Sequence, residues 1–150
     1  MSEGQILMGN RSDMAALVPE LVCTDVRASI EVYHRVFGFR ILYARPEQGF
    51  AYLDMNSAQI MLEQLEDDSW LAAELSRPFG RGMNIQIDVE DVNAIHRACQ
   101  TEGLVIFRAM EEKWYRRDDV LLGCRQFIVQ DPDGYLLRFA QSIGTRPVHK

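Results

Sequence analysis

The sequence predicts an α+β domain made of two tandem β-α-β-β-β modules, which form a curled mixed sheet with helices on one face and a trough on the other. The motif Asp-Val-x-Ala occurs at residues 25–28 and again at residues 91–94, an offset of 66 residues. Each copy follows an alternating strand pattern and leads to a glycine, Gly38 or Gly103. Because there are only two copies, the duplication indicates a domain fold and not a solenoid.

The composition narrows the classes of function. A chain of 150 residues fits one domain, and its net charge of −6 disfavours nucleic-acid binding, which needs a basic surface. No apolar run reaches the roughly 20 residues of a membrane helix, and the N-terminus lacks a signal-peptide pattern, so we expect a cytoplasmic protein without a membrane partner. The three cysteines form no Cys-x-x-Cys pair, which argues against a disulfide framework and a thiolate zinc site.

The first module is expected at residues 16–64, after an N-terminal arm at residues 1–15. A strand over residues 17–23 precedes Asp25, which is a favourable N-cap, and apolar residues then recur at helical spacing up to Gly38. Three short strands are expected to complete the module, at residues 39–44, 50–55 and 58–62.

The second module is expected at residues 82–142, after a linker at residues 65–81 and before a C-terminal tail at residues 143–150. Asp91 repeats the N-cap and Gly103 the helix end, while residues 111–122 are interpreted as a charged, aromatic connection. The strands are expected at 83–89, at 105–110 and on both sides of the Asp-Pro-Asp-Gly turn at 131–134.

Two motifs now indicate a family. The run from Asp25 to Tyr33 that ends in Phe37-Gly38-Phe39, together with Asp131-Pro132-Asp133-Gly134-Tyr135 and the paired modules, resembles the vicinal oxygen chelate superfamily over roughly residues 16–142. That superfamily includes glyoxalase I, extradiol dioxygenases, fosfomycin-resistance enzymes and bleomycin-resistance proteins. The resemblance implies that the trough is the binding site.

The resemblance also implies where a divalent metal would bind, because enzymes of the superfamily take one ligand, usually His or Glu, from the first and last strand of each module. Matched motif to motif, those positions are Val18, Met61, Asn84 and Arg138. None offers the usual donor, and a guanidinium repels a cation. The resemblance therefore implies the metal-free branch, represented by the bleomycin-resistance proteins: a homodimer that sequesters a drug without cofactor or catalysis.

Strand alternation assigns residues to the two faces of the sheet. Apolar residues such as Leu62 and Phe139 fall on the face under the helices, and polar residues fall in the trough. For Arg138 two roles stay open: it orients an anion or acceptor of the ligand, or it forms a salt bridge with Glu20 or Glu63. The predicted ligand-binding residues are Glu20, Phe50, Tyr52, Met61, Glu63, Asn84, Gln86, Trp114, Tyr115 and Arg138.

The leading hypothesis is a homodimer that binds a small organic molecule, for which a cationic glycopeptide antibiotic such as bleomycin is the best-defined candidate. One alternative is an enzyme that uses Glu20 and Arg138 as acid–base residues in the same trough. Another is an enzyme with a displaced metal site at Glu20, Glu63 and Asp88. Whether the modules pair within a chain or between chains stays open.

Overall fold

The computed structural model describes residues 13–148, and within them the chain forms eight strands and two α-helices, which confirms the predicted α+β class. Helix α1 (Val26–Glu31) continues as a π-helical turn (Val32–Val36), and helix α2 spans Val92–Glu102. No helix in this part of the chain is long and apolar enough to cross a membrane. The strands are β1 (Glu20–Cys23), β2 (Arg40–Arg45), β3 (Phe50–Met55), β4 (Ala58–Gln64), β5 (Ile85–Asp88), β6 (Ile106–Arg117), β7 (Val120–Gln130) and β8 (Leu136–Pro147).

The strands form two separate four-stranded sheets, one from each module. Sheet A has the order β1-β4-β3-β2, and sheet B repeats it as β5-β8-β7-β6. In each sheet the first and last strands of the module are parallel neighbours, and the other pairs are antiparallel. The duplication in the sequence is therefore a duplication of topology, and β1 and β5 are edge strands.

The predicted helix ends are confirmed in both modules. The Asp25 side chain accepts a hydrogen bond from the backbone N–H of Ala28 at 3.2 Å, and Asp91 does the same for Ala94 at 3.1 Å. Each cap satisfies a backbone donor that the first helical turn leaves free. The second helix ends at Gly103, which has the left-handed φ of 80° that favours glycine.

Both helices lie between the two sheets. The ring of Phe37, just after the π-helical turn of the first module, packs 5.3 Å from the ring of Phe139 on β8, and Tyr33 packs 5.0 Å from Phe37. One hydrophobic core thus contacts one face of each sheet, which we call the helix-covered face. The predicted core residues on these faces are buried, with Ile85 half-buried: Leu21, Cys23, Ile60, Leu62, Ile85, Ile87, Leu137 and Phe139.

The opposite surface of each sheet is its open face. Because the helix-covered faces of both sheets pack on the same core, the two open faces point away from each other. No hydrogen-bonded pairing joins β1 to β5 in the described residues. The chain therefore carries two open faces, on opposite sides of the core.

The turn at residues 131–134 is a hairpin, as predicted, and it also joins the two modules. The Tyr33 hydroxyl donates to the Asp131 carboxylate at 2.7 Å, and the Thr24 hydroxyl donates to Asp133 at 2.6 Å. Both carboxylates are almost fully buried, with 4% and 1% exposure. Burial raises the pKa of Asp131 to about 6, although hydrogen bonds from Tyr33 and from two backbone N–H groups of the turn act in the opposite direction.

Gly134 shows why this turn needs a glycine. Its φ of 97° is in the region that other residues rarely adopt. A Cβ atom there would also lie 2.5 Å from the Cβ of Pro78, which belongs to the segment between the modules. Any other residue at position 134 would therefore have a strained backbone and would clash with Pro78.

The prediction of a connection at residues 111–122 is wrong. Strand β6 continues to Arg117, a tight turn at Asp118 and Asp119 follows, and β7 begins at Val120. Most side chains of β6 beyond Glu111 are exposed or half-buried, so the apolar alternation that marks a strand is missing. Strand β8 runs to Pro147, into the segment expected to be a tail, and most of the expected arm at residues 1–15 lies outside the described residues.

Candidate functional site

The structure divides the predicted ligand-binding residues between the two open faces. These residues belong to two different sheets, which share no strand pairing in the described residues. Within one chain, then, the two sets do not form one site. Sheet A holds Glu20, Phe50, Tyr52, Met61 and Glu63, sheet B holds Gln86, Tyr115 and Arg138, and Asn84 lies just before the first strand of sheet B.

The ladder of sheet A brings its five residues into one patch. Met61 on β4 lies beside Glu20 of β1 and opposite Tyr52 of β3. Glu63, two positions on, lies opposite Phe50. Since side chains two apart share a face, the five form a continuous surface with an aromatic half and an acidic half.

Two residues that the sequence interpretation missed cover the aromatic half. Tyr43 of β2 stacks on Tyr52 with ring centroids 5.2 Å apart, and the Arg45 guanidinium lies 3.9 Å from the centre of the Phe50 ring. Phe50 and Tyr52 are consequently only 6% and 4% exposed. The register of the hairpin around residues 46–49 was the available signal, because it places residues 43 and 52 opposite each other.

Polar groups on the same face bond to one another. The Tyr52 hydroxyl donates to the Gln59 side-chain oxygen at 2.6 Å, and the Gln59 amide nitrogen donates to Asp54 at 2.8 Å. Arg40 Nε donates to the other Asp54 oxygen at 2.9 Å. Burial alone would raise the pKa of Asp54, but the hydrogen bonds from Gln59 and Arg40 together hold it below its ordinary value. The side chains in this part of sheet A are therefore held in place by one another before any ligand binds.

Glu20 is the carboxyl group of the predicted site on sheet A whose pKa is shifted. Partial burial raises its pKa, and hydrogen bonding with the neighbouring Glu63 carboxyl raises it further, while the positive charge of Arg45 acts the other way. Glu20 therefore keeps its proton to a higher pH than an isolated glutamate does. Chemically, such a pair can bind a cation or exchange a proton with a ligand.

Sheet B has a more open surface. A cavity of about 520 Å³ lies over its edge, lined among others by Gln86, Asp88, Tyr115 and Cys124. A second cavity of about 300 Å³ adjoins it and includes Arg138. Gln86 is the ladder neighbour of Arg138, whereas Asn84 is exposed and precedes β5.

Trp114 and Tyr115 were expected to act together from a loop, but they are consecutive residues of strand β6 and point to opposite faces. Tyr115 lines both cavities of sheet B, and its hydroxyl accepts a hydrogen bond from the Gln126 amide nitrogen at 2.6 Å. Trp114 lies on the other face, with the Arg146 guanidinium 3.9 Å from its ring centre. A ligand on the open face of sheet B can therefore contact Tyr115 and not Trp114.

Arg138 forms neither of the two salt bridges considered for it. Glu20 and Glu63 belong to the other open face, and no ion pair involves Arg138 within residues 13–148. Its Nε atom is buried and has no hydrogen-bond partner.

The residues at the family's metal positions do not fit a metal. Val18 and Met61 lie in or next to sheet A, whereas Asn84 and Arg138 lie in or next to sheet B, and their side chains provide no anionic donor. The displaced set of Glu20, Glu63 and Asp88 is divided between the sheets in the same way. Within the described part of the chain, no three His, Cys, Asp or Glu side chains are grouped as metal ligands.

Comparison with known proteins places this architecture. Bleomycin resistance proteins from Geobacillus stearothermophilus and Staphylococcus aureus are 26% identical over 139 residues, covering 87% of this chain and 98% of theirs. The crystal structure of TioX from Micromonospora sp. ML1 matches with a TM-score of 0.65 and 25% identity, over 85% of this chain and 98% of that one. A virulence protein from Salmonella typhimurium shares the fold, with a TM-score of 0.61 at 20% identity over 84% and 94% of the two chains. The family model for the Glyoxalase/Bleomycin resistance protein/Dioxygenase superfamily matches residues 14–139, and the chain belongs to that superfamily.

Proposed function

We propose that this protein binds a small organic molecule as a homodimer, in two troughs that each combine sheet A of one copy with sheet B of the other. The observation that carries the proposal is the division of the predicted ligand-binding residues between two open faces that point apart within one chain. A second copy related by twofold symmetry would bring the open face of sheet A of each copy together with the open face of sheet B of the other, and so form two equivalent troughs.

The edges of the sheets support this pairing. Strands β1 and β5 are short edge strands, each of four residues, and each has one side without a strand partner in the described residues. Free strand edges are natural places for a second chain to join a sheet. Bringing β1 of one copy beside β5 of the other would place the open face of sheet A next to the cavities of sheet B.

The class of ligand follows from the surface and from the relatives. The aromatic half of sheet A presents the ring of Tyr43, which is 38% exposed, and suits a planar or apolar group, whereas the Glu20–Glu63 pair suits a cationic one. Relatives named bleomycin resistance proteins make a cationic glycopeptide antibiotic the first compound to test. Sequestration needs no reaction, so the proposed function requires neither a metal nor a cofactor. We also propose that the protein acts in the cytoplasm.

Calorimetric titration with bleomycin, combined with sedimentation equilibrium, tests the proposal. We expect a mass of twice 17.2 kDa and one binding site per chain. Met61→Arg, which adds a long cation in the centre of sheet A's open face, should reduce the affinity at least tenfold. Gln100→Arg adds the same charge on the exposed side of helix α2 and should leave the affinity unchanged. A monomer, or equal affinity in both variants, would contradict the trough.

Metal content provides an independent check. After incubation with zinc, nickel, manganese and ferrous iron followed by desalting, we expect well under one tenth of an equivalent of any metal per chain. Near-stoichiometric tight metal would contradict the assignment of Val18, Met61, Asn84 and Arg138 to the family's metal positions, and it would favour an enzyme of the superfamily.

An acid–base enzyme is the second candidate, and the raised pKa of Glu20 beside Glu63 favours it. Glu20→Gln distinguishes the two functions. A binding protein keeps its function with an altered affinity, whereas an enzyme that uses Glu20 as general acid or base loses turnover by roughly 100-fold or more.

A further inference from the structure

Arg138 is a half-buried cation whose Nε atom is buried and has no partner among the described residues. It lies on β8, an inner strand of sheet B, between Gln86 of β5 and Ile128 of β7. Its Nε atom has no hydrogen-bond partner, and no carboxylate of the described residues forms an ion pair with it. Proteins rarely leave a buried charged donor unsatisfied, because it has lost its water without gaining another acceptor.

The cavity beside Arg138 is positively charged. It has a volume of about 300 Å³, and Arg108 and Lys113 line it together with Arg138. Among the described residues of the lining, the one carboxylate is Glu111, which lies 3.7 Å from Arg108 and accepts a hydrogen bond from Gln126. The surroundings of Arg138 therefore attract an anion and repel a cation.

A second donor points to the same place. The Tyr115 hydroxyl accepts a hydrogen bond from Gln126 at 2.6 Å, and so its own hydrogen is free to be donated. Gln126 is itself 5% exposed and fixed on the middle of β7, so it holds the hydroxyl at the wall shared with Arg138.

We propose that the open face of sheet B binds a carboxylate group of the ligand, with Arg138 as the main donor and the Tyr115 hydroxyl as the second. The two terminal nitrogens of a guanidinium form a planar pair of donors that matches the two oxygens of a carboxylate, and neither of them has a partner among the described residues. This inference rests on the proposed binding function and specifies its ligand. A purely cationic antibiotic fits this end of the trough poorly, whereas a compound with an acidic group fits it.

The experiment compares 4-fluorobenzoate with 4-fluorobenzamide, which have nearly the same shape but differ in charge at pH 7, by ¹⁹F NMR line broadening on the full-length protein. We expect the benzoate to bind at least tenfold more tightly than the benzamide. Arg138→Gln should abolish this preference, and Arg138→Lys should restore only part of it, because lysine keeps the charge without the planar pair of donors. Arg146→Gln, an exposed arginine on the other side of β8, should change nothing.

Equal binding of the two probes, or a preference for benzoate that persists in Arg138→Gln, would overturn the carboxylate site. Circular-dichroism melting of each variant ensures that only folded proteins are compared. The same samples are analysed by sedimentation equilibrium and titrated with bleomycin. A preference that depends on Arg138 in a monomer would support the carboxylate site and contradict the dimeric trough. A dimer that binds bleomycin but shows no preference would do the reverse.

Discussion

The two modules share one topology but differ in how far the side chains on their open faces are covered and hydrogen-bonded. In the first module, Phe50 and Tyr52 are covered by neighbouring side chains and are 6% and 4% exposed. In the second, Tyr115 is 40% exposed beside two cavities, and the Nε atom of Arg138 has no hydrogen-bond partner among residues 13–148. On the open face of sheet A the side chains thus pack on one another and satisfy one another's hydrogen bonds, whereas the open face of sheet B has unused hydrogen-bonding capacity.

The difference teaches which residues specify the fold and which specify the ligand. The features that the modules have in common, the N-caps Asp25 and Asp91 and the apolar residues under the helices, are those that form and pack the secondary structure. The features that differ lie on the open faces, where packing imposes few demands and binding can decide the residue.

The last hairpin turns of the modules differ in the opposite sense. In the first module the turn at Asn56 and Ser57 is exposed, and both residues have positive φ angles of 48° and 78°. In the second module the turn is buried, and its carboxylates at Asp131 and Asp133 bind residues of the first module. The more open module therefore also provides the polar contacts that hold the two modules together.

Removing the Asp131 carboxylate should have the largest effect on stability. Asp131→Ala leaves the Tyr33 hydroxyl and the backbone N–H groups of Asp133 and Tyr135 without their acceptor in a buried place. We expect a loss of about 3–5 kcal/mol in the free energy of unfolding, measured by urea denaturation. In the exposed turn of the first module, Asn56→Asp should change it by less than about 0.5 kcal/mol. Equal losses would contradict the contrast between the turns.

The pH dependence of stability should reveal the same carboxylate. Because the folded pKa of Asp131, about 6, lies above the ordinary value of 3.8, its contribution is fully present below pH 4 and is lost as the pH rises through 6. Asp131→Asn does not titrate; its amide oxygen can still accept from the backbone N–H groups of Asp133 and Tyr135, and its amide nitrogen can donate to the Tyr33 hydroxyl oxygen in the reverse direction. Its stability relative to the wild type should therefore rise by about 2–3 kcal/mol between pH 4 and pH 7. A constant difference would show that Asp131 ionises normally.

The smallest expected effect compares the two open faces directly. Tyr52→Phe removes the buried hydrogen bond to Gln59 and should lower the free energy of unfolding by about 1 kcal/mol. Tyr115→Phe removes a hydrogen bond that water can replace, so we expect less than about 0.5 kcal/mol. If Tyr115→Phe proved the more destabilising of the two in thermal melts, the side chains on the open face of sheet A would not be the more fully packed and hydrogen-bonded.

The sequence allowed most of the fold to be predicted, because the signals were local. The N-caps at Asp25 and Asp91 and the alternation that buries Leu62 and Phe139 depend only on neighbours in the chain. Strand β6 beyond Glu111 escaped prediction because both its faces are largely exposed there, so that no apolar period marks it.

The candidate site could be predicted only in part, because it depends on how distant segments meet. Alternation assigned Glu20, Met61 and Arg138 to open faces, but it could not indicate that the sheets enclose the helices and turn those faces apart. Tyr43 and Arg45 were missed because their role follows from the register of a hairpin with a bulge, which propensity does not specify.

The most direct test of the account mixes two variants that each place a long cation on one open face, Met61→Arg on sheet A and Gln86→Arg on sheet B. Each variant alone should bind bleomycin weakly. After subunit exchange, a mixed dimer carries both changes in one trough and neither in the other, so calorimetry should recover one wild-type site per mixed dimer. A mixture that binds no better than its separate components would show that each trough is formed within one chain and would contradict the account.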